Sequence, residues 1–274
     1  MGELAKRVTV AVFGIPLLIG LTYLGGWYFL FLILVISTVA QWEFYQFQKH
    51  KGIYPQNISG IIVGAGILVG VHTGNFHNTA SFLGVCLMLI LANEMFRRHK
   101  NVSTNIGVTF LGIIYVPMML SSLIYLRSAF DRYFPTIQAA GFYFIMVILV
   151  SIWICDTFAY MFGKKLGRHK LYQKVSPNKS VEGAVAGFIG AVLVMLLVNI
   201  SGILPFSLET SLVMGAAIGI VGQLGDLVES WFKRDVGVKD SSSLLPGHGG
   251  MLDRFDSLIF VAPVLLILSS LLLT

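Results

Sequence analysis

Charge, cysteine and extended polar chain are what this 274-residue sequence has least of. Asp, Glu, Lys and Arg make up 12% of it, about half the share of a typical soluble domain. With 56% of the residues hydrophobic, a single core in water cannot absorb so much apolar chain, and a soluble globular fold is excluded. The two cysteines, Cys86 and Cys155, sit inside apolar runs, where a thiol behaves as a small buried hydrophobe. Neither a disulfide framework nor a thiolate metal site follows from them. No stretch is long enough to form a basic aqueous domain, so the net charge of +6 does not signal nucleic-acid binding. Anionic lipid or an anionic soluble substrate is the better partner for it. The first apolar run follows Lys6 and Arg7, exceeds a signal-peptide core and lacks an A-x-A site; it reads as a retained span.

What is present is apolar run after apolar run, at a mean hydropathy of +0.81. Breaks at charged, Pro, Gly or Asn residues predict an all-α polytopic membrane protein with nine spans. They lie near 8–24, 27–45, 58–72, 79–96, 105–126, 140–162, 181–200, 212–229 and 255–273. The glycines of the third span, Gly60, Gly64, Gly66 and Gly70, have spacing that favours close helix packing. With nine spans, 17 of the 19 Lys and Arg residues fall on one side, and only Arg127 and Arg132 fall opposite. The positive-inside rule makes that side cytoplasmic, with the N-terminus inside and the C-terminus outside. Residues 1–135 then hold five helices. Residues 136–274 hold four, with two polar cytoplasmic segments, 163–180 and 230–256.

Polar residues concentrate in that second part. Span 8 contains Gln223, Asp226 and Glu229, and an ionisable group at a helix centre costs about 2.5 to 3.5 kcal/mol. Asp226 and Glu229 share a helical face, and Gly222 and Gly225 allow another backbone or a ligand to approach. A hydrated helix end is the plainer explanation; the flanking glycines and the polar cluster beyond favour a lined cavity. Segment 230–256 interleaves Lys233, Arg234, Asp235, Lys239, Asp240, His248, Asp253, Arg254 and Asp256 with Gly247, Gly249 and Gly250. Solubility alone needs no such mixture, whereas a Mg²⁺-nucleotide site does. Asp253 and Asp256 lie three apart and can ligate metal with Asp226, and the glycines let backbone approach phosphate. His248 suits phosphate contact or proton donation better than ligation of magnesium, which prefers oxygen. Upstream, Asp156 lies near the end of span 6, and Ser176, Lys179, Ser180 and Glu182 lead into span 7. Ser180 is placed to cap that helix, and Lys179 beside its N-terminus makes a phosphate seat. A basic loop that only fixes topology explains Lys164 to Lys174 but not Asp156 or Glu182.

The run SWFKRDVGVKDSSSLLPGHGGMLDRFD, Ser230 to Asp256, fits at every position the signature of the CDP-diacylglycerol synthases, or phosphatidate cytidylyltransferases. DTFAYMFGKKLGRHKLYQKVSPNKSVEG resembles the same family's middle region. The resemblance implies transfer of the cytidylyl group from CTP to phosphatidic acid, with Mg²⁺ and room for a second, monovalent cation such as K⁺. Phosphatidate brings its own nucleophile, so no serine or cysteine nucleophile is needed; metals and cations must disperse charge at the α-phosphorus. On this basis Asp226, Asp253 and Asp256 are the expected metal ligands, and Asp240 a further ligand or orienter. Lys233, Arg234, Lys239 and Arg254 are expected on phosphates. Lys179 and Ser176 contact phosphate from the other segment, and Asp156, Glu182, Ser230, Gly249 and Gly250 complete the substrate site. The resemblance further implies a plasma-membrane enzyme whose active site faces the cytoplasm, and a homodimer. The alternatives are another membrane CTP- or lipid-phosphate transferase, or a secondary transporter. Transport requires polar residues at mid-membrane in both halves of a repeat, and spans 1 to 5 read as offering almost none.

Overall fold

The computed structural model describes residues 3–97, 99–244 and 249–273; Arg98, Gly247 and His248 lie outside the described residues. Apolar runs bounded by glycine or proline become helices: α1 (Glu3–Leu24), α2 (Gly26–Gln48), α3 (Asn57–Thr73) and α4 (Phe76–Phe96). α5 (Val102–Ile113) continues through a π-helical turn, Ile114–Met118, into α6 (Met119–Tyr133). Pro117 lies in that turn. A proline cannot donate to the helical ladder, and a widened turn accommodates it. Then come α7 (Ala140–Leu166), β1 (Lys170–Tyr172), β2 (Ser176–Ser180), α8 (Val181–Ser201), α9 (Leu208–Asp235) and α10 (Leu252–Leu272).

Six helical stretches among the described residues are long and apolar enough to cross a bilayer, and three shorter apolar helices accompany them. Large apolar side chains face outward, such as Phe13 at 73% exposure, Met95 at 82% and Leu197 at 64%. That is the surface of a helical, multi-pass membrane protein, whose solvent on those faces is lipid.

Two expectations change. Segment 163–180 is not a plain loop. α7 runs on to Leu166, and Lys170–Tyr172 pairs antiparallel with Ser176–Ser180. The segment lacks the apolar alternation that announces strands, so a polar two-stranded hairpin was not legible. The second polar segment also begins later than residue 230, because α9 continues to Asp235. Nothing in Ser230 to Asp235 breaks a helix, and the first positive φ, +77° at Gly237, follows it. Ser230, Lys233 and Arg234 are therefore helical.

The chain packs as two compact units, residues 1–125 with 235–255 and residues 126–234 with 256–274. Within the first, the supposedly apolar early spans hold buried polar groups, which corrects the expectation from hydropathy. Gln41 Nε2 donates to Tyr45 Oη and to the Gly60 carbonyl, and Tyr45 Oη donates to the Thr109 carbonyl at 2.7 Å. Glu94 accepts from Gln56, Asn105 and Arg97. Window averages hide such residues because apolar neighbours outnumber them, while many of their partners come from elsewhere in the chain.

Within the second unit, α8 lays Gly183, Gly187 and Gly190 against α7, and Gln223 of α9 donates to the Ala184 carbonyl of α8 at 3.1 Å.

Candidate active site

In the second unit Lys179 pairs with Asp226, and Asp256 feels the charges of Asp226, Asp156 and Lys179. On α9, a β-carbon at Gly225 would stand 2.7 Å from the Asp256 carbonyl oxygen of α10, so only glycine permits this approach. The approach brings Asp226, the next residue, into electrostatic range of Asp256, as are Asp156 of α7 and Lys179 of β2. Asp256 is 8% exposed, and its Oδ1 accepts the Ser257 amide at 2.6 Å. Lys179 Nζ donates to Asp226 Oδ2, and Ser230 Oγ donates to Oδ1 at 3.4 Å. Three acidic groups against one base make a place that attracts cations.

The hairpin positions Lys179, and its neighbours hold the hairpin. Ser180 Oγ accepts the Gly183 amide at 3.1 Å and so caps α8. Glu182, in the first turn of α8, accepts the Arg168 amide at 3.1 Å, the His169 amide at 3.2 Å and His169 Nδ1 at 2.6 Å. Its carboxylate is thus engaged with the chain between α7 and β1. Ser176 opens β2 and is half-buried. Arg234 Nε donates to the Val175 carbonyl at 3.3 Å, tying the end of α9 to the hairpin turn. One turn earlier, Lys233 Nζ and Glu229 Oε2 form a buried ion pair at 2.5 Å.

The first unit contains most of the signature segment. Asp253 Oδ2 accepts from the Gly250 amide at 2.8 Å, from the Ser241 amide at 3.0 Å and from Ser241 Oγ at 3.0 Å. Its carboxylate therefore organises the turn into α10. Gly249 has φ +79°, a conformation that L side chains rarely adopt. A β-carbon on Gly250 would collide with Ser241 Oγ and stand 2.6 Å from Glu43 Oε2. Gly250 thus leaves no room for a side chain between Ser241 and Glu43. Lys239, Asp240 and Arg254 are exposed.

Glu43 is the residue that sequence reasoning missed. It lies in α2 and is fully buried, and its carboxylate accepts four hydrogen bonds from the signature segment. The signal was available, a lone carboxylate between Trp42 and Phe44 in an apolar run, which is costly unless paired.

Among the described residues no three His, Cys, Asp or Glu side chains gather at metal-ligand spacing. The carboxylates of Asp226, Asp256 and Asp156 offer oxygen, which suits a hard divalent cation. Such an ion keeps several waters and takes one or two carboxylates besides substrate phosphates.

Known proteins are similar over nearly the whole chain. A phosphatidate cytidylyltransferase of Synechocystis is 34% identical, with 94% of each chain covered. One from Staphylococcus saprophyticus is 33% identical over 96% of this chain and 97% of its own, and one from Staphylococcus aureus is 31% identical over the same shares. The sequence profile described as the Cytidylyltransferase family matches residues 5–272, and the chain belongs to that family.

Proposed function

We propose that this protein transfers the cytidylyl group of CTP to phosphatidate, giving CDP-diacylglycerol and pyrophosphate. The observation that carries the reading is the approach of Asp226 to Asp256, with Asp156 and Lys179 in electrostatic range, inside otherwise apolar helices. Of these groups Asp256 is buried, and a buried carboxylate beside further charges is expensive in a membrane protein and marks function.

Asp226 and Asp256 would hold a divalent cation, Mg²⁺ by its preference for oxygen, with Asp156 nearby and Asp240 as a further ligand or orienter. When bound, the metal neutralises triphosphate charge and polarises the phosphoryl oxygens. A phosphatidate oxygen attacks the α-phosphorus, a new P–O bond forms, and the bond to the β-phosphate bridging oxygen breaks. Lys179 leaves its bond to Asp226 and donates to a phosphate oxygen. Lys239 and Arg254, both exposed, neutralise the departing pyrophosphate, and His248 contacts phosphate or donates a proton. Ser176 and Ser230 contribute hydroxyl donors. Lys233, Arg234 and Glu182 act from one step back, through Glu229, the hairpin turn and the segment after α7. Asp253, Gly249 and Gly250 shape the signature segment, so Asp253 serves metal binding less directly than Asp226.

The distribution of 17 of 19 basic residues supports nine spans, a cytoplasmic N-terminus, a C-terminus on the opposite side and a site open to cytosolic CTP. A plasma-membrane location and a second, monovalent cation such as K⁺ belong to the same reading, as does assembly as a homodimer.

The test is an acceptor panel. Purified protein with labelled CTP and Mg²⁺ is given phosphatidate, a prenyl phosphate or no lipid, alongside an Asp256→Asn variant. Product with phosphatidate alone, lost in the variant, is expected. Preference for the prenyl acceptor overturns the substrate assignment.

A further inference from the structure

Glu43 lies outside every motif that points to catalysis, yet its carboxylate is wholly committed to the signature segment. Each oxygen accepts one hydroxyl and one backbone amide. Oε1 takes Ser242 Oγ at 2.5 Å and the Met251 amide at 3.0 Å. Oε2 takes the Leu252 amide at 2.8 Å and, at 3.1 Å, the Ser241 hydroxyl, whose single proton it shares with Asp253 Oδ2. Ser241 and Ser242 stand where the chain enters the glycine-rich stretch, and Met251 and Leu252 where it leaves. One carboxylate therefore closes both ends of segment 241–252.

The exit side is also the start of α10. The first amides of a helix have no partner within it, and an anion there is favoured by the helix dipole. Glu43 supplies that anion from α2, as a cap delivered by another helix. The first turn it fixes carries Asp253 and Arg254. Gly250 is part of the same construction, since a β-carbon there would press on Glu43 Oε2 and Ser241.

We infer that Glu43 is a positioning residue for the reaction: it clamps the neck of the signature segment and orients the first turn of α10, without touching substrate. The inference rests on the proposed cytidylyl transfer for its kinetic consequence but not for its structural one. Glutamine is the informative replacement, because it keeps the shape while turning one oxygen into a donor. Whichever oxygen is lost, a backbone amide then faces an N–H.

The experiment uses the full-length protein in detergent, as wild type, Glu43→Gln and Glu43→Asp, with two measurements. In hydrogen–deuterium exchange, Glu43→Gln speeds exchange of the peptide spanning 249–255 by roughly tenfold or more and leaves peptides of α8 unchanged. Glu43→Asp, which keeps the charge, restores part of the protection. In steady-state kinetics at matched folded fraction, Glu43→Gln lowers kcat by roughly tenfold or more, and Glu43→Asp recovers part. Unchanged exchange at 249–255 overturns the clamp. Acceleration spread over all helices assigns Glu43 to general stability and overturns the positioning role, as does wild-type kcat in Glu43→Gln. If the wild type transfers no cytidylyl group, the proposed function falls, and the exchange measurement still decides the clamp.

Discussion

Replacing Gly225 by alanine probes the approach of α9 to α10 directly. A β-carbon there would meet the Asp256 carbonyl oxygen at 2.7 Å against an ordinary contact of 3.4 Å, about 0.7 Å too close, and Phe260 Cβ at 3.0 Å. Neither neighbour is the tip of a flexible side chain, so the helices themselves must shift. Overpacking of this kind costs about 1 to 3 kcal/mol, and alanine's better helix propensity returns about 1 kcal/mol. The net loss of stability is small, up to about 2 kcal/mol. Activity should suffer more, because a misplacement near 1 Å costs on the order of 100-fold in rate. Gly225→Ala is expected to lower cytidylyl transfer roughly 10- to 100-fold while the protein stays folded. Gly222→Ala is the control, since its β-carbon would meet Val261 and Ser257 at 3.5 and 3.8 Å; it should keep near-wild-type turnover. Both are measured by product formation beside thermal unfolding in one detergent. Wild-type turnover in Gly225→Ala, or equal damage in Gly222→Ala, refutes the reasoning.

Lys233→Ala removes the ion-pair partner of buried Glu229 and should cost about 3 to 5 kcal/mol, seen as a lowered unfolding midpoint. Replacing both residues by leucine should recover most of that loss, and a double variant no better than the single one contradicts the pairing. Asp226→Asn is expected to reduce turnover by roughly 100-fold or more and to weaken activation in a Mg²⁺ titration; chelation should abolish wild-type activity and added Mg²⁺ restore it. Ser180→Ala removes the cap of α8 and should cost about 1 kcal/mol. That is a modest shift in thermal unfolding, and its absence would show that the Gly183 amide finds another acceptor.

The helices were legible because a bilayer demands long apolar runs, and the structure's α8, Val181–Ser201, departs from the expected 181–200 by one residue. Helix ends were less legible where polar residues continue the helix, as at Ser230 to Asp235, because hydropathy marks the edge of lipid and not the end of hydrogen bonding. The signature segment could be read as a motif, but not the destination of its groups. Asp253 and Asp226 look alike in sequence, yet one accepts backbone amides and the other an ammonium. The partners of Glu43 were illegible for a further reason. They lie about 200 positions away in the chain, and no local pattern reports a partnership of that range.

The most direct measurement follows the phosphorus atoms. CTP labelled at the α- or at the γ-phosphate is incubated with purified protein, phosphatidate and Mg²⁺, and label is counted in extracted lipid and in pyrophosphate. Cytidylyl transfer places the α label in CDP-diacylglycerol and the γ label in pyrophosphate, in equal amounts. γ label in the lipid, or none in either product, would contradict it.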